Sequence, residues 1–420
     1  MGQSLRDDLL EIANKTKRAS RELRRLSTLD KNRVLKSIKD SLQNSSEEIL
    51  KANEVDIENG IADGMSDGLL DRLLLTRDRI NSMANSVDII INLEDPVGNM
   101  DEVNKLPNGI QIGKKRVPIG VLAVIYEARP NVTLDAAILA IKSSNAIILR
   151  GGKEAINSNK AIANSIRYGI EKAGFDRNMV TLIEDTSRES AVELMKLRGY
   201  IDLLIPRGSQ RLINSVVENS NVPTLETGVG NCHLYIDDSA DIEKALKIFE
   251  NAKTQRIGVC NALESLLVSE KVSDEFYTGL QNIIDKYNIV VHGCEKSSKK
   301  LNEVILATDE DYRTEYLDYE FSMKIVSGVD EAIEHIYEYS TNHSEAIVTE
   351  NLVNAMKFTD EVDSACVYVN ASTRFTDGAE FGFGAEIGIS TQKLHARGPV
   401  GLKELTTYKY VLLGEGQTRS

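Results

Sequence analysis

Between residues 119 and 221, short and almost uninterrupted apolar runs alternate with amphipathic stretches. The apolar runs are 119–126, 146–149, 179–183 and 201–205, and the stretches of helical character are 132–143, 154–173, 188–197 and 208–219. Strands with such continuous apolar sequences are buried on both faces, as in parallel sheets covered by helices. The alternation therefore predicts an α/β fold that binds its ligands at the carboxyl ends of the strands.

A second, less regular alternation runs from residue 232 to residue 369. Because 420 residues exceed the size at which a single core stops growing, we expect two large α/β domains. The glycine-containing segments 228–231 and 377–378 are the predicted hinges, with small ligands bound between the domains. The predicted domains are 1–97 with 117–229 and a return segment 378–402, then 230–377, and a β-flap formed by 98–116 and 403–420.

The β-flap is predicted from two separate segments. Residues 110–116 alternate apolar and polar side chains after an Asn-Gly turn, and residues 405–413 are rich in strand formers. Open strand edges need a partner, so we expect these segments to pair with each other or with a neighbouring subunit. A projecting flap of this kind predicts a homo-oligomer contact.

Charge and composition exclude several classes of partner. The formal net charge of −14 argues against nucleic acid or anionic membrane as a ligand. No apolar run is long enough for a membrane helix, and no signal peptide is visible at the start. The 4 cysteines are widely spaced and the 5 histidines lack ligand spacing, so we expect no disulfide framework, no metal site and a cytoplasmic location.

Cys260 lies between a helix-like run ending near residue 253 and an apolar run at 265–268. A thiol at such a junction can be exposed on one side and rigidly held on the other. Lys253 and Arg256 are near enough in sequence to favour its thiolate. The alternative is that Cys260 packs as a small hydrophobic side chain, which is the usual role of a free cysteine.

Two polar residues at strand ends are candidates for acid–base or oxyanion chemistry. Asn131 follows Pro130 at the start of a helix, where it serves either as an N-cap or as an amide donor to an oxyanion. Glu226 comes just before the predicted hinge, and it is either a solvated acid or a general base.

Two strand-to-helix turns carry glycine beside positive charge. Arg150, Gly151, Gly152 and Lys153 form the first turn, and Arg207, Gly208 and Ser209 form the second. Glycines permit close approach of a ligand to the backbone, and a helix N-terminus favours phosphate. The alternatives are a plain turn at the first position and a serine N-cap at the second.

A third glycine-rich segment, residues 381–388, has the spacing G-x-G-x-x-x-G and does not follow the first strand. It therefore does not match a dinucleotide fingerprint, and it suits a loop that closes on a substrate through Gly382 and Gly384. Arg374, close before this loop, is a candidate for bidentate binding of a carboxylate or phosphate.

Taken together and in order, these motifs resemble the γ-glutamyl phosphate reductases of the aldehyde dehydrogenase superfamily. The segments that carry the resemblance are 117–133, 149–154, 206–209, 226–233, 256–264 and 383–399. The resemblance implies a Rossmann-type NADP-binding domain, a catalytic domain with Cys260, and an oligomerisation flap. It also implies NADPH-dependent reduction of L-glutamyl 5-phosphate to the semialdehyde and phosphate, the second step of proline biosynthesis.

The resemblance also assigns residues. Cys260 would be the nucleophile, Asn131 and the Cys260 backbone N–H the oxyanion hole, and Glu226 would align with the superfamily's general base. Arg150 and Lys153 would lie at the adenosine ribose, where their charge suits a 2′-phosphate. Val229 replaces the second glycine of the superfamily's usual Glu-Leu-Gly-Gly, a departure that fits a site specialised away from thioester hydrolysis.

Two other functions stay open at this point: a hydrolytic aldehyde dehydrogenase, and a non-catalytic scaffold of the same fold. No ATP-binding loop is visible, so the acyl phosphate would come from a separate glutamate 5-kinase. A transient contact with that kinase is expected because the intermediate is unstable.

Overall fold

The computed structural model describes residues 2–419. The α-helices are α1 Gly2–Leu23, α2 Thr28–Asn44, α3 Ser46–Ala62, α4 Asp67–Leu73, α5 Arg77–Asn92, α6 Asn131–Lys142, α7 Ile156–Lys172, α8 Arg188–Met195, α9 Gln210–Asn219, α10 Ile242–Thr254, α11 Asp274–Tyr287, α12 Asp309–Arg313, α13 Val329–Tyr339 and α14 Leu352–Glu361. The strands are β1 Met100–Lys105, β2 Gln111–Pro118, β3 Val121–Tyr126, β4 Ala146–Gly151, β5 Val180–Leu182, β6 Leu203–Arg207, β7 Cys232–Ile236, β8 Leu263–Ser269, β9 Val290–Gly293, β10 Val304–Leu306, β11 Glu320–Val326, β12 Ser344–Val348, β13 Cys366–Val369, β14 Ile389–Ser390, β15 Gly398–Pro399 and β16 Thr406–Leu413.

The chain divides into two compact units. The first unit comprises residues 1–227, 382–388 and 400–420, and the second comprises 228–381 and 389–399. The division after residue 227 lies two residues from the predicted boundary at 229. The predicted return segment 378–402 is divided between the two units. Residues 389–399, which contain the paired strands β14 and β15, belong to the second unit, whereas 382–388 and 400–402 belong to the first.

A parallel four-stranded sheet of order β5-β4-β3-β6 is the centre of the first unit. All six residues of β3 are buried, which explains its uninterrupted apolar sequence. In register, Val124 lies opposite Leu149 on one side and Ile205 on the other. The predicted parallel sheet is therefore present, and its carboxyl ends carry the motifs at 127–131, 150–153 and 207–209.

The predicted flap is a three-stranded antiparallel sheet of order β1-β2-β16 in the first unit. β16 pairs with β2 along its whole length, from Thr406 opposite Pro118 to Leu413 opposite Gln111. The two segments thus pair with each other. All of β1 is exposed, as are Tyr408, Tyr410 and Leu412 of β16.

The second unit contains a parallel seven-stranded sheet of order β10-β9-β11-β8-β7-β12-β13. Its central strands β7, β8 and β12 are buried along their whole length. α10 and α11 pack against one another, and Phe249 and Phe276 lie in the same buried apolar cluster. This arrangement places the turn that contains Cys260 between α10 and the buried strand β8.

No helix in the described part of the chain is both long and apolar enough to cross a membrane.

Candidate active site

Turns that follow β3, β4 and β6 are joined by hydrogen bonds at the carboxyl edge of the first unit's sheet. The Glu127 N–H donates to the Arg207 carbonyl (3.1 Å), and the Ser209 N–H donates to the Glu127 carboxylate (2.8 Å). The Ala128 N–H donates to the Glu154 carboxylate (2.6 Å). Ala128 has a φ of 33°, in the left-handed region that favours glycine. The hydrogen bonds among the three turns hold the Ala128 backbone in this unfavourable conformation.

Asn131 is not an N-cap. It is the first residue of α6, where Pro130 occupies the N-cap position and makes no side-chain cap bond. The exposed Asn131 side chain instead donates through Nδ2 to the Asp135 carboxylate (2.9 Å), one helical turn further on. This bond fixes the direction of the amide and leaves its second N–H for another acceptor.

Asp135 has an unusual electrostatic environment for a carboxylate. Burial raises its pKa to about 6, the hydrogen bond from Asn131 opposes that shift, and the charge of Glu386 adds to it. The charge of Arg207 lowers the pKa of Asp135, but by less than burial raises it. A carboxylate whose pKa is raised in this way and that is bonded to the predicted oxyanion donor makes this helix start a candidate functional region.

The glycines of the two charged turns leave space for protein side chains. A Cβ on Gly151 would collide with the Asn159 amide, and one on Gly152 would collide with the Glu154 carboxylate. A Cβ on Gly208 would lie 2.5 Å from the Glu127 carboxylate. Glycine is therefore needed at these positions to make room for side chains of the protein itself. The sequence analysis gave a different reason for them, the approach of a ligand to the backbone.

The positive side chains of these turns differ in how many protein groups they bind. Arg150 donates to the carbonyls of Thr186 (2.7 Å) and Ser187 (2.8 Å), and burial lowers its pKa. Lys153 has a 75% exposed side chain and only a surface ion pair with Asp63. Among the described residues, the buried Nε atoms of Arg150 and Arg207 have no hydrogen-bond acceptor.

This set of donors fits an anionic ligand such as a dinucleotide phosphate. Lys153 can change partner at little cost, and the two arginine Nε atoms are donors without acceptors. Ser209 is the N-cap of α9, as the simpler interpretation had it, and its N–H is already engaged by Glu127. The N-terminus of α9 is thus occupied by a carboxylate of the protein itself.

Cys260 lies in the turn between α10 and β8, and its side chain is half-buried. The thiol is therefore not sealed in the apolar core. Its carbonyl accepts a hydrogen bond from the Cys232 thiol (3.1 Å), which is buried beside it. Burial raises the pKa of Cys232 well above its ordinary value, so this second cysteine stays a neutral donor.

Gly230 holds the backbone of Cys260 from the other side. A Cβ at position 230 would overlap the carbonyl carbon and oxygen of Cys260. Gly230 is itself anchored, because its N–H donates to the Glu315 carboxylate (2.8 Å). Only glycine permits this approach of two backbone segments, and the approach fixes the position of the cysteine turn.

Lys253 does not have the predicted role beside the thiol. Its side chain is fully buried, and Nζ donates to the Leu263 carbonyl (2.8 Å) and to the Glu264 carboxylate (2.9 Å). Burial lowers the pKa of Lys253 and raises that of Glu264 to about 7. The charge of Lys253 is thus balanced inside the core.

Arg374 is joined to both sides of the cysteine turn. Its Nε donates to the Gln255 side chain (2.8 Å), five residues before Cys260. Asn261, directly after Cys260, donates to the carbonyl of Thr376 (2.9 Å) and accepts from Thr373 at its own carbonyl (2.8 Å). Burial and the charge of Arg256 lower the pKa of Arg374, and the charges of Cys260 and Asp377 oppose this.

The remaining candidates occupy defined positions in the fold. Glu226 is half-buried and directly precedes Thr227, whose hydroxyl donates to the Pro206 carbonyl (2.6 Å). Gly382 and Gly384 belong to the first unit and both have a φ of 77°. Arg374 belongs to the second unit, so the three predicted substrate-binding residues are divided between the units. Their roles stay predictions.

Four residues of the site were missed by the sequence analysis as functional candidates: Glu127, Asp135, Gly230 and Cys232. A signal existed for Asp135, since Asn131 and Asp135 stand four residues apart on a helix. No local pattern marked Gly230 or Cys232, because their contact with Cys260 depends on the pairing of β7 with β8.

Within residues 2–419, no group of three or more His, Cys, Asp or Glu side chains is arranged to hold a metal ion.

Comparison with known proteins gives a consistent result. The model of the aldehyde dehydrogenase family matches residues 2–298. A γ-glutamyl phosphate reductase of Clostridium perfringens is 54% identical over 99% of this chain and 100% of its own length. The crystal structure of γ-glutamyl phosphate reductase from Thermotoga maritima is 51% identical, covers 98% of this chain and 100% of its own, and has a TM-score of 0.95.

A more distant solved structure shares the fold. It is an engineered glycolyl-CoA reductase with bound NADP⁺, 15% identical over 96% of this chain and 95% of its own, with a TM-score of 0.68.

Proposed function

Because the chain belongs to the γ-glutamyl phosphate reductases of the aldehyde dehydrogenase family, we propose that it reduces L-glutamyl 5-phosphate to L-glutamate 5-semialdehyde and phosphate. This reaction is a step of proline biosynthesis. The assignment agrees with the half-buried thiol of Cys260, held in a turn by Gly230 and Cys232. That thiol is the single observation on which the chemistry depends.

The Cys260 thiolate attacks the acyl carbon of the substrate, the acyl C–O bond to phosphate breaks, and inorganic phosphate leaves as a thioester forms. Once the thioester carbonyl was reduced, its C–S bond would break, and the semialdehyde and the thiolate would be released. The oxygen carries negative charge on both occasions. Asn131, whose amide is directed by Asp135, and the Cys260 backbone N–H are the proposed donors to this oxygen.

The reductant is a nicotinamide dinucleotide, which supplies the hydride when bound. The proposed binding residues are Arg150, Gly151, Gly152 and Lys153 in one turn, and Arg207, Gly208 and Ser209 in the other. The exposed Lys153 and the unbonded Nε atoms of Arg150 and Arg207 support NADPH, which carries one more phosphate than NADH. Glu226 aligns with the superfamily's general base, but this reaction has no hydrolytic water for it to activate.

The exposed apolar side chains of the flap support a homo-oligomer in which β1 or β16 meets a second copy of the chain. The free state of all four cysteines supports a reducing compartment such as the cytoplasm. A transient contact with glutamate 5-kinase would shorten the path of an unstable intermediate.

The reaction is tested in reverse with semialdehyde, NADP⁺ and phosphate. NADPH formation should depend strictly on phosphate, since phosphate is the group that releases the acyl unit from Cys260. Cys260→Ala should abolish turnover and keep NADPH binding, measured by cofactor fluorescence. Turnover in phosphate-free buffer would indicate a hydrolytic aldehyde dehydrogenase, and full activity of Cys260→Ala would exclude the thiol mechanism.

A further inference from the structure

A small polar cavity lies beside the cysteine turn, wholly within the second unit. Its volume is about 190 Å³, and it is lined by Asn251, Gln255, Arg374, Phe375, Asp377 and Glu380. Since a water molecule takes about 30 Å³ of liquid, the cavity has room for a group of several heavy atoms. Its lining combines one guanidinium, two carboxylates, two amides and one aromatic ring.

The cavity is mechanically linked to Cys260. Gln255 precedes the thiol and bonds the Arg374 side chain, while Asn261 follows the thiol and bonds the backbone of the Arg374 segment. The charge of Cys260 also acts on Arg374. Two residues of the lining, Gln255 and Arg374, are thus bonded to each other beside the turn that carries the thiol.

The charges of the lining decide which group fits. The Gln255 side chain accepts a hydrogen bond from Nε of Arg374. A carboxylate would therefore meet the guanidinium through its two Nη groups, from which it can accept two parallel hydrogen bonds. Burial lowers the pKa of Arg374, and the charges of Cys260 and Asp377 offset this lowering only in part. A bound anion would therefore stabilise the charged guanidinium. A phosphate, with about two negative charges, would also face Asp377 and Glu380.

A zwitterion has no such conflict. Its carboxylate meets the guanidinium, and its ammonium meets the two acids. We propose that this cavity binds the α-amino acid end of the substrate, with Arg374 on the α-carboxylate and Asp377 and Glu380 on the α-ammonium group. The inference rests on the proposed function and adds to it the residues that recognise an amino acid.

The test uses the full-length enzyme in the reverse direction with three aldehydes of one series. Glutamate semialdehyde carries both head groups, 4-aminobutanal lacks the carboxylate, and 5-oxopentanoate lacks the amine. Arg374→Gln should raise KM for the semialdehyde roughly ten- to a hundred-fold, the effect of losing a charged hydrogen-bonded pair, and leave KM for 4-aminobutanal and for phosphate unchanged. Asp377→Asn should raise KM for the semialdehyde and leave that for 5-oxopentanoate unchanged.

Arg313→Gln is the matched control. Arg313 is an exposed arginine of the second unit that pairs with Asp309 and Glu338, and it is not among the residues of the cavity. It should leave the ranking of the three aldehydes as in the wild type. The rate of Cys260 alkylation, measured against pH for each variant, separates a change in the thiol from a change in substrate recognition.

Two results would overturn the inference. One is an Arg374→Gln variant whose KM rises for phosphate and not for the semialdehyde, which would make Arg374 a phosphate ligand. The other is equal loss for all three aldehydes in both variants. A wild type that turns over without phosphate would contradict the proposed function instead, so the two failures are distinguishable.

Discussion

Gly230→Ala should disable the enzyme by moving the cysteine turn. An added Cβ would stand 1.4 Å from the Cys260 carbonyl oxygen and 2.9 Å from its Cα, and both are backbone atoms that cannot rotate away. Restoring a separation of 3.0 Å requires a shift of about 1.6 Å. Because misplacement of a reacting group by about 1 Å can cost about a hundred-fold in rate, we expect kcat to fall by at least that factor.

The stability cost of the same substitution should be smaller, about 1–3 kcal/mol, as for other overpacked sites. The assay is phosphate-dependent NADPH formation, with chemical denaturation measured in parallel. Gly328→Ala is the control, since a Cβ there has nothing within 4 Å and its φ of 166° is extended backbone. A Gly230→Ala enzyme with the turnover of the wild type would refute the reasoning.

Three further predictions concern the Asp135 carboxylate, the buried ion pair and the flap. The pKa of Asp135 is raised to about 6 in the folded protein, so its ionisation lowers the free energy of unfolding progressively between about pH 4 and pH 6. Asp135→Asn removes this cost. In denaturation experiments the variant should therefore gain up to about 3 kcal/mol on the wild type across that pH range. Lys253→Met should lower the free energy of unfolding by about 3–5 kcal/mol, and Glu264→Gln in the same chain should restore much of it. Leu412→Glu, at a side chain 56% exposed on β16, should reduce the particle size in light scattering; an unchanged size would remove the flap contact.

The fold was largely predictable because its strands are buried on both faces. A continuous apolar run such as 121–126 has few alternatives to a central parallel strand, and the helices between such runs must cover the sheet. The pairing of β16 with β2 was among the predicted outcomes, since residues 110–116 alternate apolar and polar side chains, residues 405–413 are rich in strand formers, and exposed strands need a partner.

The site was predictable only where one segment contains the whole signal. Cys260 lies at its predicted junction, but Lys253 turns into the core to meet Glu264, eleven residues further along the chain. Glu127 reaches the N-terminus of α9 because β6 lies next to β3, and no local pattern reveals that neighbour. Contacts of this kind depend on strand order, which sequence periodicity does not specify.

The balance of Lys253 by Glu264 has a consequence for the thiol. With that charge neutralised in the core, Arg374 is the positive group joined to both sides of the cysteine turn and electrostatically coupled to Cys260. The charge of Cys260 opposes the lowering of the Arg374 pKa, which means that the two groups attract each other. When the thiolate becomes a neutral thioester, Arg374 loses that anionic neighbour, and its attraction to the proposed α-carboxylate grows. The α-carboxylate should consequently be held more firmly in the acyl-enzyme than beside the free thiolate, and Arg374→Gln should slow acyl-enzyme formation from the semialdehyde more than from 4-aminobutanal in single-turnover measurements.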